Sequence, residues 1–132
     1  MRGKELLRLR PKYYVVDMAF KQLLLPDTNR DRGHVLENVV YLELRRRGYT
    51  VYVGQLTKGE IDFVAQKPGG ILEYYQVSES VLDPTTRGRE LAPLEAVKDQ
   101  YPKFLLTMDE LYKSHNYNGI QQCNVLDWLL GM

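Results

Sequence analysis

The chain has 132 residues, 44% hydrophobic and 27% charged, which gives one domain a sizeable core and excludes a multidomain enzyme. Its 18 Lys and Arg against 17 Asp and Glu leave a formal charge of +1, so charge as a whole draws it neither to nucleic acid nor to a membrane. No stretch reaches the roughly 18 apolar residues of a bilayer span, and Cys123, with only His34 and His115 for company, excludes an internal disulfide and leaves too few ligands for a Cys/His zinc site. A soluble, cytoplasmic protein without a membrane partner is expected.

In chain order, Tyr13 to Asp17 is β-prone, and Met18 to Leu25 is a short apolar helix ended by Pro26. Pro26 to Gly33 is polar and turn-rich, so residues 1–30 read as a lead-in and 31–132 as the folded domain. His34 to Arg47 predicts the first substantial helix, with Val35, Leu36, Val39, Val40, Leu42 and Leu44 on an apolar arc and Gly48 as its stop. Thr50 to Val53, Ile61 to Gln66 and Ile71 to Ser78 are three strands, the last two joined by the turn Lys67-Pro68-Gly69-Gly70. Asp83-Pro84 is an N-cap followed by proline at the first helical position, opening a helix to about Gln100 that Pro93 should kink. Lys103 to Met108 reads as a buried strand, Ile120 to Asn124 as a weaker one, and Val125 to Leu130 as a closing helical turn whose Leu126, Trp128, Leu129 and Leu130 should pack on the domain. Three strands in succession followed by a crossover helix imply an α/β fold: a mixed sheet with helices on its faces.

Charge is unevenly placed. Residues 1–47 carry 11 of the Lys and Arg and 6 of the acids, leaving 7 and 11 for the remainder. Arg8, Arg10 and Lys12, then Arg30 and Arg32, then Arg45 to Arg47 form basic clusters that would meet phosphate if the fold gathered them. The alternative is solvated loops and helix ends, and cations at Arg45 to Arg47 already suit a helix C-terminus.

The chemistry centres on Asp62. If Pro68, Gly69 and Gly70 form a three-residue loop closed by Lys67 opposite Ile71, Asp62 faces Gln76 across two strands, with Glu60 and Ser78 the next pair. Opposed residues start about 4.5–5.5 Å apart at Cβ, close enough to share a divalent cation. A two-residue loop would shift the register and separate them. Glu37 lies on the shoulder of the first helix's apolar arc and should be partly buried. Glu43 falls nearer the centre, so amphipathicity does not choose between the two acids.

Three of these segments, in this order, carry a resemblance. Gly33-His34-Val35-Leu36-Glu37-Asn38 before an apolar helix, Glu60-Ile61-Asp62-Phe63-Val64 in a strand, and a strand ending Tyr75-Gln76-Val77-Ser78 resemble the core of the PD-(D/E)XK nuclease superfamily. With Lys12 to Asp17, Arg89-Glu90, Tyr101-Pro102-Lys103 and Thr107-Met108-Asp109, residues 12 to 130 resemble a C-terminal domain of unknown function carried by many prokaryotic AAA-type ATPases. The resemblance implies a restriction-endonuclease-like fold with an αβββαβ core, and an ATPase part of the same full-length chain as partner. No G-x-x-x-x-G-K-[ST] phosphate loop occurs in these residues.

In active members of the superfamily a helix glutamate, a strand aspartate and a third acid hold Mg²⁺ or Mn²⁺, which activates water, and a lysine orients that water. Carried over, the catalytic positions fall on Glu37, Asp62, Gln76 and Ser78, and a metal would be held by Glu37, Asp62, Gln76 and the Val77 carbonyl. An amide at 76 removes one ligand charge, and Ser78 cannot act as a cationic lysine. Lys58, Lys67 and Lys98 are candidate replacements, and Arg87 and Arg89 are cationic substitutes. Arg45, Arg46, Arg87 and Arg89 are the candidate contacts to DNA or RNA. Tyr13, Tyr14, Tyr74 and Tyr75 could stack on bases, though their strand spacing fits core packing better. The first reading is therefore a noncatalytic accessory domain that recognises nucleic acid or a protein partner. The second is a divalent-metal-dependent nuclease with a displaced lysine, and the third an oligomerisation or substrate-docking module without any metal.

Overall fold

The computed structural model describes residues 7–11 and 29–131; the expected strand at Tyr13 to Asp17 and helix at Met18 to Leu25 lie outside the described residues. Seven strands form one mixed sheet: β1 (Arg8–Pro11), β2 (Thr50–Leu56), β3 (Gly59–Gln66), β4 (Leu72–Val77), β5 (Lys103–Thr107), β6 (Asn116–Tyr117) and β7 (Ile120–Asn124). They lie in the order β1-β2-β3-β4-β5-β7-β6. Strands β1 to β4 are antiparallel neighbours, β5 runs parallel to β4 and β7 to β5, and β6 folds back against β7. The α/β class and the mixed sheet flanked by helices are as the sequence implies. Arg8–Pro11, read from sequence as lead-in, pairs with β2 as the outer strand of this same sheet.

The first helix, α1, spans Asn29–Arg46 and so takes in part of the expected linker. At the other end Gly48 adopts φ +89°, its N–H donates to the Arg45 carbonyl at 2.9 Å, and the Tyr49 N–H donates to the Leu44 carbonyl at 3.1 Å. These two bonds are a Schellman cap, which needs a residue free to enter the left-handed region. The second helix, α2 (Pro84–Ala96), is capped by Asp83, whose carboxylate accepts from the Thr86 N–H. It stops four residues short of the expected Gln100, where Asp99 instead accepts from the Tyr74 hydroxyl at 2.6 Å and pairs with Lys103 at 2.9 Å. Asn124 caps the last helix, α3 (Val125–Leu129), by accepting from the backbone of Leu126 and Asp127.

Strand alternation sorts the core into two layers. Phe63, Ala65, Tyr75, Val77 and Leu106 pack with Val40 and Leu44 of α1 and Val125 and Trp128 of α3. Val64, Tyr74 and Leu105 pack with Leu91 and Leu94 of α2 on the other face. Thus α1 and α3 share one side of the sheet and α2 covers the opposite side. Trp128 is buried as expected and Leu129 packs against the same cluster, but Leu126 and Leu130 are exposed. A helix of five residues has only one inward face, and these two lie four apart on its outer side.

Gly54 has the least room of the described glycines. A Cβ built there would lie 2.9 Å from Val64 Cγ2 and 3.1 Å from both Ile61 Cβ and Leu7 Cδ1. Gly54→Ala is therefore expected to destabilise the protein by about 1–3 kcal/mol, the usual cost of overpacking, read as a lower urea midpoint at unchanged slope. Gly88, inside α2 with open space around it, should respond oppositely: Gly88→Ala is expected to gain about 0.5–1 kcal/mol.

Candidate functional site

The site is built where the β3–β4 ladder opens. Lys67 N–H donates to the Ile71 carbonyl at 2.8 Å, which closes the three-residue loop, and the pairing runs from Gln66 opposite Leu72 to Phe63 opposite Tyr75. That register puts Asp62 level with Gln76. On its other edge β3 pairs Val64 with Tyr52 and Ile61 with Gly54, so Asp62 and Phe63 together oppose the single residue Val53. This is a β-bulge, which interrupts the ladder and re-aims the side chains beside it.

Side chains take over the hydrogen bonding that the backbone gives up there. The Asp62 N–H donates to Gln76 Oε1 at 2.7 Å, and Asp62 Oδ2 accepts from the Val77 N–H at 2.9 Å. Gln76 Nε2 donates to the Glu90 carbonyl of α2 at 3.1 Å. The amide, only 3% exposed, thus ties β3, β4 and α2 together using both its acceptor and its donor. A glutamate at 76 would lose the donor. Asp62 and Gln76 meet as the sequence predicts, but the amide oxygen is turned to a backbone N–H.

The expected partnership of Glu60 with Ser78 does not form. The bulge ends the regular alternation, Glu60 is exposed beside Arg10 at 3.6 Å, and the Ser78 hydroxyl donates to the Ser80 carbonyl at 3.0 Å. Glu37 is half-buried on α1, and its charge reaches Glu90. The Glu90 carboxyl is raised above the ordinary carboxylate range, first by burial and, against the pull of Arg89, by that neighbouring negative charge. Glu37 therefore lies in electrostatic range of the residue whose carbonyl holds Gln76. Among the described residues no three His, Cys, Asp or Glu side chains come together as a metal cage.

Glu43, which amphipathicity left level with Glu37, has a structural partner set. It takes a two-pronged contact from Arg46 at 2.8 and 2.7 Å and a third bond from Arg47 at 2.7 Å. The hydrogen bond from Arg46 is the main reason its carboxyl falls from 4.5 to about 2. Arg47 also lies 4.3 Å over the Trp128 ring and donates to the Trp128 carbonyl. The basic cluster at the end of α1 is thereby engaged within the fold, except for exposed Arg45. Arg87 donates to the Val81 carbonyl, and Arg89 is exposed on α2. Because α1 and α2 lie on opposite faces, Arg45 and Arg46 do not join Arg87 and Arg89 in one patch. Lys67 is paired with Glu73 at 2.9 Å, while Lys58 and Lys98 are exposed. Tyr74 and Tyr75 are core residues whose hydroxyls donate to Asp99 and Glu73, so neither ring is presented to a base.

Two features escape the sequence in whole or in part. The bulge is invisible because Ile61-Asp62-Phe63-Val64 fits an unbroken strand buried on both faces equally well. Of a buried polar belt at the ends of β5 and β7 the sequence marked only Thr107-Met108-Asp109, without its bonding: Thr107 Oγ1 accepts from the Asp109 N–H and Gln122 Nε2, Asp109 Oδ2 accepts from the Val81 N–H, and Asn124 Nδ2 donates to the Asp109 carbonyl.

Comparison with known proteins adds little chemistry. No family model matches the chain, and no solved structure matches it. A Haemophilus influenzae protein described as an uncharacterized protein is 38% identical over 130 residues. That alignment takes in 98% of this chain but 31% of the relative, so the chain spans about a third of the length of the curated relative it matches.

Gln76→Leu would leave the Asp62 N–H and the Glu90 carbonyl without this partner. It is expected to cost about 1–3 kcal/mol for each group left unsatisfied, read by urea denaturation. Glu90 should behave in the opposite sense. A carboxyl raised in the fold binds its proton more readily folded than unfolded, so it weakens the fold once ionised and stops doing so as pH falls through its folded pKa. Glu90→Gln is thus expected to raise Tm at neutral pH, by an amount that shrinks on acidification.

Proposed function

We propose that this chain is a noncatalytic accessory domain of a longer polypeptide, built on a scaffold like that of the PD-(D/E)XK nucleases. The observation that carries this reading is the clamp at Gln76. The position that holds the third acid in active members is an amide here, and its oxygen and nitrogen are both committed to backbone groups. Divalent magnesium prefers anionic oxygen ligands in a near-ideal octahedron, and a neutral oxygen already accepting a 2.7 Å hydrogen bond is a poor donor to it. The hydroxyl at Ser78 supplies no positive charge for a developing phosphate oxyanion. Element order supports the scaffold: a helix, three antiparallel strands, a crossover helix and a parallel strand follow one another as α1, β2, β3, β4, α2 and β5.

The partner we favour is protein: the ATPase part that the resemblance implies for the full-length chain. The length of the Haemophilus relative is consistent with this stretch occurring inside a larger polypeptide. Nucleic acid is the weaker partner because Arg46 is bound to Glu43, and the remaining candidate arginines are divided between two faces of the sheet. A nuclease with a displaced lysine keeps support from the retained Glu37 and Asp62.

The deciding experiment incubates the purified chain with supercoiled and linear DNA in Mg²⁺ or Mn²⁺, beside Glu37→Ala and Asp62→Ala. No cleavage above the two variants is expected, and DNA binding should be undetectable even at low salt. Metal-dependent cleavage lost in both variants would replace this reading with the nuclease. Binding that weakens steeply with salt would make nucleic acid the partner.

A further inference from the structure

The turn between β6 and β7 consists of Asn118 and Gly119, closed by Tyr117 opposite Ile120. Both central residues are left-handed, with φ +52° and +99°. That is the signature of a type I′ hairpin turn, for which Asn-Gly is the preferred pair. The same dipeptide is also the chemically weakest asparagine in the chain. Glycine has no Cβ to shield its backbone nitrogen, which can attack the side-chain carbonyl carbon of the asparagine before it.

We infer that Asn118 is a site of spontaneous amide-to-acid conversion held in check by the β6–β7 hairpin. The reaction balances with water as its only co-reactant. The Gly119 backbone nitrogen gives up its proton and bonds to Asn118 Cγ, and the Cγ–Nδ2 bond breaks to release ammonia and leave a five-membered imide. Water then opens the ring at either carbonyl, giving aspartate or isoaspartate at position 118. Both residues are exposed, so water has access. The restraint is geometric: the attacking Gly119 N–H is occupied, donating to Asn116 Oδ1 at 2.8 Å, and the turn fixes the backbone on either side of the bond that must form.

The hairpin is also a place where that restraint can lapse. Strand β6 has two residues and lies at the edge of the sheet, the kind of segment that opens locally without global unfolding. Conversion after such an opening would leave a mark. Isoaspartate lengthens the main chain by one carbon at the tightest point of the turn. Either product also adds a carboxylate to the rim of an open cleft of about 630 Å³ that Glu95 and Asp99 already line.

The test holds the purified chain at mildly alkaline pH, folded and, in parallel, unfolded in guanidinium chloride, and follows Asn118 by peptide mapping and mass spectrometry. Conversion is expected in the unfolded chain and about tenfold or more slower in the folded one, as for a reaction gated by local opening. Asn116→Ala, with its fold verified by circular dichroism, should speed the folded reaction and leave the unfolded rate unchanged. Gly119→Ala should slow the unfolded reaction. Equal folded and unfolded rates, no conversion at Asn118 when unfolded, or a folded rate indifferent to Asn116→Ala would each overturn the inference.

Discussion

Where two neighbouring strands part inside a sheet, each loses backbone partners that must be found elsewhere, since an unpaired buried amide costs as much as a lost hydrogen bond. In this protein the parting of β3 and β4 beyond Phe63 and Tyr75 is bridged by Asp62 and Gln76, each taking a backbone N–H of the other strand. The remaining half of the Gln76 amide fixes the position of α2 through Glu90. The crossover helix, and with it the parallel arrangement of β4 and β5, is thus anchored at this opening of the ladder. Low local dielectric strengthens such bonds and makes their loss costly, so the amide at position 76 is held by the architecture around it.

Much of this arrangement was legible because it depends on period and punctuation. Lys67-Pro68-Gly69-Gly70 set the loop length, the loop length set the register, and the register brought Asp62 to Gln76. Asp83-Pro84 and Gly48 marked helix ends for reasons that are local and steric. The bulge could not be read, because placing two residues against Val53 is decided by pairing with the neighbouring strand and not by the residues of β3 alone. The part played by Asp99 was hidden for a similar reason: its carboxylate binds a tyrosine 25 positions earlier. Glu43 differs from Glu37 in having Arg46 and Arg47 three and four residues on, a pairing visible in the sequence, whereas the contact that fixes Arg47 on Trp128 is not.

The two ends of the parallel strands differ in character. Toward β5's C-terminal end the polar side chains of Thr107, Asp109, Gln122 and Asn124 are buried and mutually bonded, with the Tyr117 hydroxyl reaching Gln122 at 2.8 Å. Toward its start the cleft beside Tyr101 and Pro102 is open, but Lys103 directs its ammonium to the Asp99 carboxylate and to the Asp99 and Tyr101 carbonyls. A side chain whose three donors are all engaged offers little to a ligand. Both ends are built to hold the sheet together.

The contact between Arg47 and Trp128 joins residues 81 positions apart. Tyr75 meets the same indole edge-on at 5.7 Å and stacks on Phe104 at 5.0 Å. One layer of the core therefore stays incomplete until residue 128 has left the ribosome, however early the β2–β4 meander forms. During synthesis that aromatic surface would stand bare for as long as the residues between Tyr75 and Trp128 take to be made, and it is there that a nascent chain of this protein would be most open to a chaperone's grip.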